Sequence, residues 1–316
     1  MVDVAILDDY QGVALSSADW SPVTSRADVT VFADHIADEA ALVQRLTAFD
    51  VIVAMRERTA FPATVLERLP RLRLLITTGM ANTSIDLQAA ARFGITVCGT
   101  GGSQAATPEL TWGLILALAR SIPQEDATLR SGGWQGTVGR ELAGSTLGLL
   151  GLGRIGPRIA HYAHAFDMHC IAWSQNLTAE RAQAAGARLV TKEKLFAEAG
   201  IVSVHLKLSE RTVGLVGALE LALLGPDGLL VNTSRGPIVD EPALIDALRQ
   251  RSIGGAALDV FDTEPLPADH PLRTTPNTVL TPHIGYVSRE TYAVFYAGAV
   301  EDITGWLDGA PARVLA

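Results

Sequence analysis

Cysteine is nearly absent: among 316 residues only Cys98 and Cys170 carry a thiol. Two cysteines cannot form a disulfide framework and they lack metal-ligand spacing, so both read as buried thiols of a reducing cytoplasm, and no metal site is expected. Long apolar runs are missing too. Stretches such as Leu114 to Ala119 fall far short of the ~20 residues that a spanning helix needs. Met-Val-Asp-Val-Ala at the start has no basic region ahead of an apolar one, so no export signal is expected. Nor is there an excess of basic charge. Lys and Arg number 25 against 34 Asp and Glu, a net −9, which argues against nucleic acid and anionic membranes as partners. A local basic pocket can still override that sign for a small anion. With 19% charged and 48% hydrophobic residues the chain is no candidate for disorder, and its length suggests two domains of roughly 150 residues.

What the chain does have is glycine in one telling place. Thr146-Leu-Gly-Leu-Leu-Gly-Leu-Gly-Arg-Ile-Gly156 runs from an apolar strand pattern (Leu147–Leu150) through glycines 151, 153 and 156 into a helical segment, Arg154–Phe166. In a strand–turn–helix phosphate site, Gly151 makes the tight turn, Gly153 lets a pyrophosphate approach the backbone, and Gly156 lets the helix pack on the strand. The helix start, with its unsatisfied N–H groups, then holds the anion. An ordinary Gly-rich turn is the competing reading, and the flanking strand and helix favour the dinucleotide.

Around this stretch, strand and helix patterns alternate. Residues 1–100 suggest strands at Val2–Asp8, Val29–Phe32, Val51–Met55, Leu72–Thr77 and Ile95–Cys98, with helices at Glu39–Phe49, Pro62–Leu69 and Ile85–Phe93. Gly99-Thr-Gly-Gly-Ser103 reads as a hinge. Thr107-Pro108-Glu109 reads as a capped helix start, Thr107 being the cap. That helix is apolar nearly all round and runs to about Arg120, which implies burial between domains or in a subunit interface. A loop, Arg130–Gly136, carries Trp134. Residues 145–284 suggest strands at Leu147–Leu150, Cys170–Trp173, Ile201–Val204, Leu229–Asn232, Gly255–Leu258 and Thr278–Leu280. A last helix, Arg289–Leu307, has Ser288 as its cap. Apolar strands joined by helices imply parallel sheets covered on both faces, an α/β chain. In such sheets ligands lie beyond the carboxyl ends of strands. The turns Arg56-Glu57-Arg58-Thr59 and Gly79-Met80-Ala81-Asn82 follow strand ends, and cleft lining and plain solvated connection are equal readings for them.

Three loops at such ends carry reactive side chains. Thr233-Ser-Arg-Gly236 follows one strand, Asp259-Val-Phe-Asp-Thr-Glu-Pro265 the next, and Thr281-Pro-His-Ile-Gly285 the last. Hydride transfer to a 2-oxo acid builds negative charge on the carbonyl oxygen. An imidazolium (His283) can hydrogen-bond that oxygen and protonate it. A neighbouring carboxylate (Glu264) favours the charged imidazolium and fixes its ring. A guanidinium (Arg235) grips the substrate carboxylate through two parallel bonds. Each residue alone has a plain structural reading; three at successive strand ends beside a dinucleotide turn point to chemistry. His205 ends a strand and lines the cofactor groove. His161 and His164 read as helix-surface residues, and His35, His169 and His270 suggest only packing or solvent.

GLGRIG at 151–156, NTSRGPIVDE at 232–241, ALDVFDTEPLP at 257–267 and TPHIGY at 281–286 closely resemble the D-isomer-specific 2-hydroxyacid dehydrogenases, and the resemblance extends over the chain. It implies two Rossmann-like doubly wound parallel-sheet domains. The substrate domain is discontinuous and flavodoxin-like (1–100, completed by a returning C-terminal helix in 286–316), and the dinucleotide domain is 101–285. It further implies Arg235, Glu264 and His283 as the catalytic set. Cofactor contacts implied are Gly151, Gly153, Arg154, Ile155, Gly156, Ser174, Gln175, Leu206, Thr212, Thr233, Asp259 and Gly285. Substrate contacts implied are Arg56, Met80, Ala81 and Asn82 together with Arg235 and His283, and a homodimer is implied through the helix and arm at 108–145.

Two departures from the family pattern matter. The acidic residue that bonds the ribose hydroxyls in NAD-preferring members is replaced by Ser174, so a 2′-phosphate is not repelled and the cofactor, NAD(P)(H), leans to NADP(H). Arg181 is the nearest downstream cation. Where the family has Gly-X-Gly, this chain has Gly79-Met80-Ala81-Asn82, so the substrate pocket can differ. Lys207, where Pro is common, is a smaller change. The expected activity is reduction of a small 2-oxo acid of the glyoxylate or hydroxypyruvate type, with His283 as general acid. The alternatives are a phosphoglycerate dehydrogenase-like enzyme and a non-enzymatic, NAD(H)-sensing corepressor.

Overall fold

The structure, a computed structural model, describes residues 1–316 and divides into two compact units, Met1–Ser103 with Val287–Ala316, and Gln104–Tyr286. Both are α/β, each built on a fully parallel sheet. In the first unit β1 (Val2–Ile6), β2 (Ala27–Val31), β3 (Val51–Ala54), β4 (Leu74–Thr77) and β5 (Thr96–Gly99) lie in the order β2-β1-β3-β4-β5. β3 and β4 are buried at every position, as continuous apolar runs should be when helices cover both faces. Asp38 and Asp86 cap the helices Glu39–Leu46 and Leu87–Arg92 by accepting the N–H groups of Ala41 and Ala89. The edge of β5 is closed by the chain's last residues: Val97 N–H donates to Ala316 O, Leu315 N–H to Val97 O and Gly99 N–H to Arg313 O.

Helix Arg289–Leu307 belongs to this first unit and starts where the sequence places it, with the Ser288 hydroxyl accepting Thr291 N–H at 3.2 Å. Tyr292, Phe295, Tyr296, Ala299 and Ile303 are buried along it.

The second unit holds β6 (Thr146–Leu150), β7 (His169–Trp173), β8 (Arg188–Leu189), β9 (Ile201–Val204), β10 (Leu229–Asn232), β11 (Gly255–Leu258) and β12 (Thr278–Leu280), ordered β12-β11-β10-β9-β6-β7-β8. All pairs are parallel, so every carboxyl end lies on one edge, and the order reverses between β6 and β9. That reversal opens a crevice at the ends of β6 and β9. The apolar helix Ala106–Ala119 lies in this unit's own core, where Trp112, Leu114 and Ile115 pack in one cluster with Leu147, Ile159 and Val231. Its all-round hydrophobicity therefore does not require a domain or subunit interface. Thr107 does not cap it. The helix begins two residues earlier, at Ala106 with Ala105 at the cap position, and the Thr107 hydroxyl donates to Gly285 O at 3.0 Å. A second helix, Ile122–Arg130, which the sequence reading did not include, starts with Pro123 in its first turn, where a missing N–H costs nothing.

Candidate active site

The glycine turn follows from steric need. Gly151 has φ +104°, and a Cβ there would lie 2.8 Å from the backbone C and O of His205. A Cβ on Gly156 would lie 2.7 Å from Gly151 O, so the helix Gly156–Ala165 can press on the turn only through glycine. Beside Gly153 no protein atom lies within 4 Å of where a Cβ would stand, which leaves the backbone open to a ligand. Arg154 and Ile155 precede the helix, Ile155 as its N-cap. At the end of β9, both ring nitrogens of His205 are shielded from solvent without a hydrogen-bond partner, and burial pushes the imidazole down to about 4. A tight turn, an open backbone and orphaned buried nitrogens at the reversal point fit a dinucleotide.

On the same sheet edge, the loops after β10, β11 and β12 are tied together. A Cβ on Gly236 would collide with the backbone of Phe261 and Asp262, so the Arg235 loop packs closely on the loop carrying Glu264. Glu264 Oε1 accepts Phe261 N–H at 2.9 Å, and its Oε2 lies 2.5 Å from His283 Nδ1. The structure thus joins Glu264 and His283 directly, both partly exposed at 32% and 22% of their side-chain surface. Nδ1 being engaged by the carboxylate, Nε2 is the ring nitrogen free to meet a substrate. Arg235 stands on the adjacent loop, half-buried, with its Nη1 donating to Ser234 O at 2.7 Å. Asn232 braces that loop from below by donating to Arg235 O at 2.9 Å.

Asp259 does more than the sequence reading assigned to it. Its buried carboxylate accepts the Thr281 hydroxyl at 2.6 Å and the Ile284 and Gly285 N–H groups at 2.8 Å each, which pins both sides of His283. Burial raises this carboxyl above its ordinary value against the pull of those bonds. Thr233, next to it, is buried with its hydroxyl 2.7 Å from that of Thr111.

Ser174, Gln175, Leu206 and Thr212 line a cavity of about 830 Å³ beyond the end of β7. Four cations line it as well, Arg188, Lys192, Lys194 and Arg211, and Arg181 does not. The sequence named Ser174, Gln175, Leu206 and Thr212 but not the four cations, which two separate segments, 188–194 and the one holding Arg211, bring to the same cavity.

In the first unit, the loops after β3 and β4 brace each other. Arg56 N–H donates to the Thr78 hydroxyl and its Nη1 to Thr78 O, while the Asn82 amide donates to Arg56 O at 2.6 Å and to the Thr77 hydroxyl at 3.0 Å. The Asn82 side chain is therefore engaged with backbone and Thr77, whereas Met80 is 52% exposed and Ala81 is exposed. Asp8, unnoticed in the sequence, anchors the loop after β1: it takes His35 Nδ1 at 2.9 Å and the Thr59 hydroxyl at 2.7 Å, and Arg58 donates to its carbonyl. His35 thus has a specific buried partner, and His270 pairs with Glu241 at 3.0 Å.

Residues 112–285 match the family model described as "D-isomer specific 2-hydroxyacid dehydrogenase, NAD binding domain". The chain belongs to this family. It is an NAD-dependent oxidoreductase of the 2-hydroxyacid dehydrogenase type. Glyoxylate reductase from Aeropyrum pernix is 41% identical over 255 residues, 78% of this chain and 76% of the relative. D-3-phosphoglycerate dehydrogenase from Archaeoglobus fulgidus is 34% identical over 86% of this chain; the chain spans about half, 52%, of that relative's length. Among solved structures, phosphoglycerate oxidoreductase from Vibrio cholerae superposes with a TM-score of 0.93 at 38% identity, covering 98% of this chain and 100% of the other. The family's two-sheet fold is the one described above.

Proposed function

We propose that this dehydrogenase reduces a small 2-oxo acid of the glyoxylate or hydroxypyruvate type to the corresponding 2-hydroxy acid, the D isomer where the product is chiral. The observation that carries the reading is the 2.5 Å contact of His283 Nδ1 with Glu264, beside Arg235 and on the sheet edge of the glycine turn. The nicotinamide ring, when bound, supplies the hydride. His283 holds the proton at Nε2 and gives it to the carbonyl oxygen as charge develops there. Glu264 keeps the ring oriented through its contact with Nδ1. Arg235 binds the substrate carboxylate and aligns the carbonyl carbon. Gly151, Gly153, Arg154, Ile155 and Gly156 would hold the pyrophosphate, Ser174, Gln175, Leu206 and Thr212 the adenosine end, and Thr233, Asp259 and Gly285 the nicotinamide end. In the first unit, the proposed substrate contacts are Arg56, Met80, Ala81 and Asn82. Ser174 in place of a carboxylate supports NAD(P)(H) with a lean to NADP(H).

Glyoxylate is favoured by the higher identity to the glyoxylate reductase. The structural likeness to a phosphoglycerate oxidoreductase supports a second reading, a phosphorylated C3 hydroxy acid. We further infer a homodimer through residues 108–145, supported by Ile122, Leu129, Trp134 and Val138, which a single chain leaves 52–100% exposed. A cytoplasmic location is supported by two unpaired thiols, Cys98 and Cys170, in a chain where no helix is long and apolar enough to cross a membrane.

Initial rates with NADH and NADPH against glyoxylate, hydroxypyruvate, pyruvate, phenylpyruvate and 3-phosphohydroxypyruvate test the substrate. Fastest turnover of glyoxylate or hydroxypyruvate is expected. A clear preference for the phosphorylated acid establishes the second reading instead, and binding of the dinucleotide without turnover of any acid overturns both.

A further inference from the structure

The cavity beyond β7 carries a charge pattern at odds with the rest of the chain. Net charge is −9, yet four cations line this one cavity against a single carboxylate, Glu193. Two of the four are already neutralised: Arg188 pairs with Glu198 at 2.6 Å and Lys192 with Glu220 at 2.7 Å. Lys194 and Arg211 have no acidic partner within ion-pair distance. Lys194 comes from the helix Lys192–Glu198 that follows β8, and Arg211 from the segment that follows β9, so two separate parts of the second unit bring them to the same cavity. At the end of β7 the wall is neutral, made of Trp173, Ser174 and Gln175. A ribose with a free 2′-hydroxyl is best met here by a carboxylate, which accepts its bonds. Neutral donors and two unpaired cations match a phosphate instead.

We propose that Arg211 and Lys194 form the binding site for the 2′-phosphate of NADP(H), with Ser174 and Gln175 as neutral donors to the same group. This rests on the reading of the second unit as the dinucleotide-binding one, and it names the residues that choose between the two cofactors. The volume of about 830 Å³ lies in the range of small-molecule sites and leaves room for an adenosine bearing such a phosphate. Both cations are solvent-exposed, so the phosphate's hold is salt-sensitive and the choice of cofactor should weaken as ionic strength rises.

The test is calorimetric titration of the full chain with 5′-AMP and with adenosine 2′,5′-bisphosphate, which differ only in the 2′-phosphate and need no turnover. At low ionic strength the bisphosphate should bind about tenfold tighter or more. In the variant combining Arg211→Ala and Lys194→Ala that ratio should fall toward one, whereas Arg211→Lys should keep much of it. Added salt should compress the wild-type ratio. Equal affinities in the wild type, or a ratio unmoved in the double variant, overturn the proposal while leaving the dinucleotide site intact. Failure of both nucleotides and of NADH to bind overturns the dinucleotide reading itself. Binding with the expected ratio but no turnover of any 2-oxo acid upholds the phosphate site and sinks only the reductase.

Discussion

His283 has φ 53°, a left-handed backbone that residues other than glycine seldom adopt, and the three bonds to Asp259 are what hold the loop in it. Asp259→Asn replaces one accepting oxygen by an NH2 group that must face a backbone or hydroxyl donor. We expect kcat to fall about tenfold or more through misplacement of His283, with a loss of roughly 1–3 kcal/mol in unfolding free energy. Unchanged kcat with lowered stability would show that Asp259 only supports the fold. Removing the proposed acid, His283→Ala, should cost about 10²–10⁴ in the rate of 2-oxo acid reduction while dinucleotide binding by titration persists. A variant that keeps most of the rate would remove His283 from its role. Glu264→Gln preserves size and loses the charge, so a smaller loss than for His283→Ala is expected.

The loop after β10 and the loop after β11 meet at Gly236 without room for a methyl group. Gly236→Ala must push one of two backbones aside, which costs about 1–3 kcal/mol and moves its neighbour Arg235. Thermal unfolding and KM for the acid should both change; an unaltered melting temperature would mean that the loops are looser than the packing indicates. Contacts of this kind explain what the sequence hid. The runs Ile201–Val204, Leu229–Asn232, Gly255–Leu258 and Thr278–Leu280 were readable to the residue, because apolar strands of a parallel sheet end sharply at glycine or polar loops. Ser288 was readable as a cap because its bond is local. Thr107 was misread because its hydroxyl bonds a residue 178 positions away, a choice that no local pattern encodes. Short helices such as Ser21–Thr24, a single turn, leave no period to detect. His283, Glu264 and Arg235 stood out through their spacing after strands. Asp8, Lys194 and Arg211 acquire meaning only once distant segments are brought together.

Two buried titratable groups give the whole molecule opposing responses to acid. Asp302, fully buried, is pushed up to about 6 by burial despite Arg313 at 2.9 Å, and His205 is pushed down to about 4. The native chain keeps a proton on Asp302 where the unfolded chain, at 3.8, has lost it, so this contribution is present below 3.8 and lost as pH rises through 6. His205 is the reverse: the unfolded chain takes a proton near 6.5 that the native chain refuses until about 4, so stability falls as pH drops through that window. Each effect is of order 3 kcal/mol and they overlap between pH 4 and 6. Asp302→Asn removes one slope. The stability of the wild type relative to this variant should therefore decline from pH 4 to pH 7, and denaturant unfolding giving a constant difference would rule the assignment out. The division of the chain has its own consequence during synthesis. Gln104–Tyr286 emerges from the ribosome as a continuous stretch and can fold as soon as it is made, whereas the five-stranded sheet of residues 1–103 must wait for Tyr292, Phe295 and Tyr296 to cover it and for residues 313–316 to close the edge of β5. Of the two units, the one whose synthesis starts earlier is thus the later to be completed, and during that interval its uncovered face is the one that a chaperone would meet.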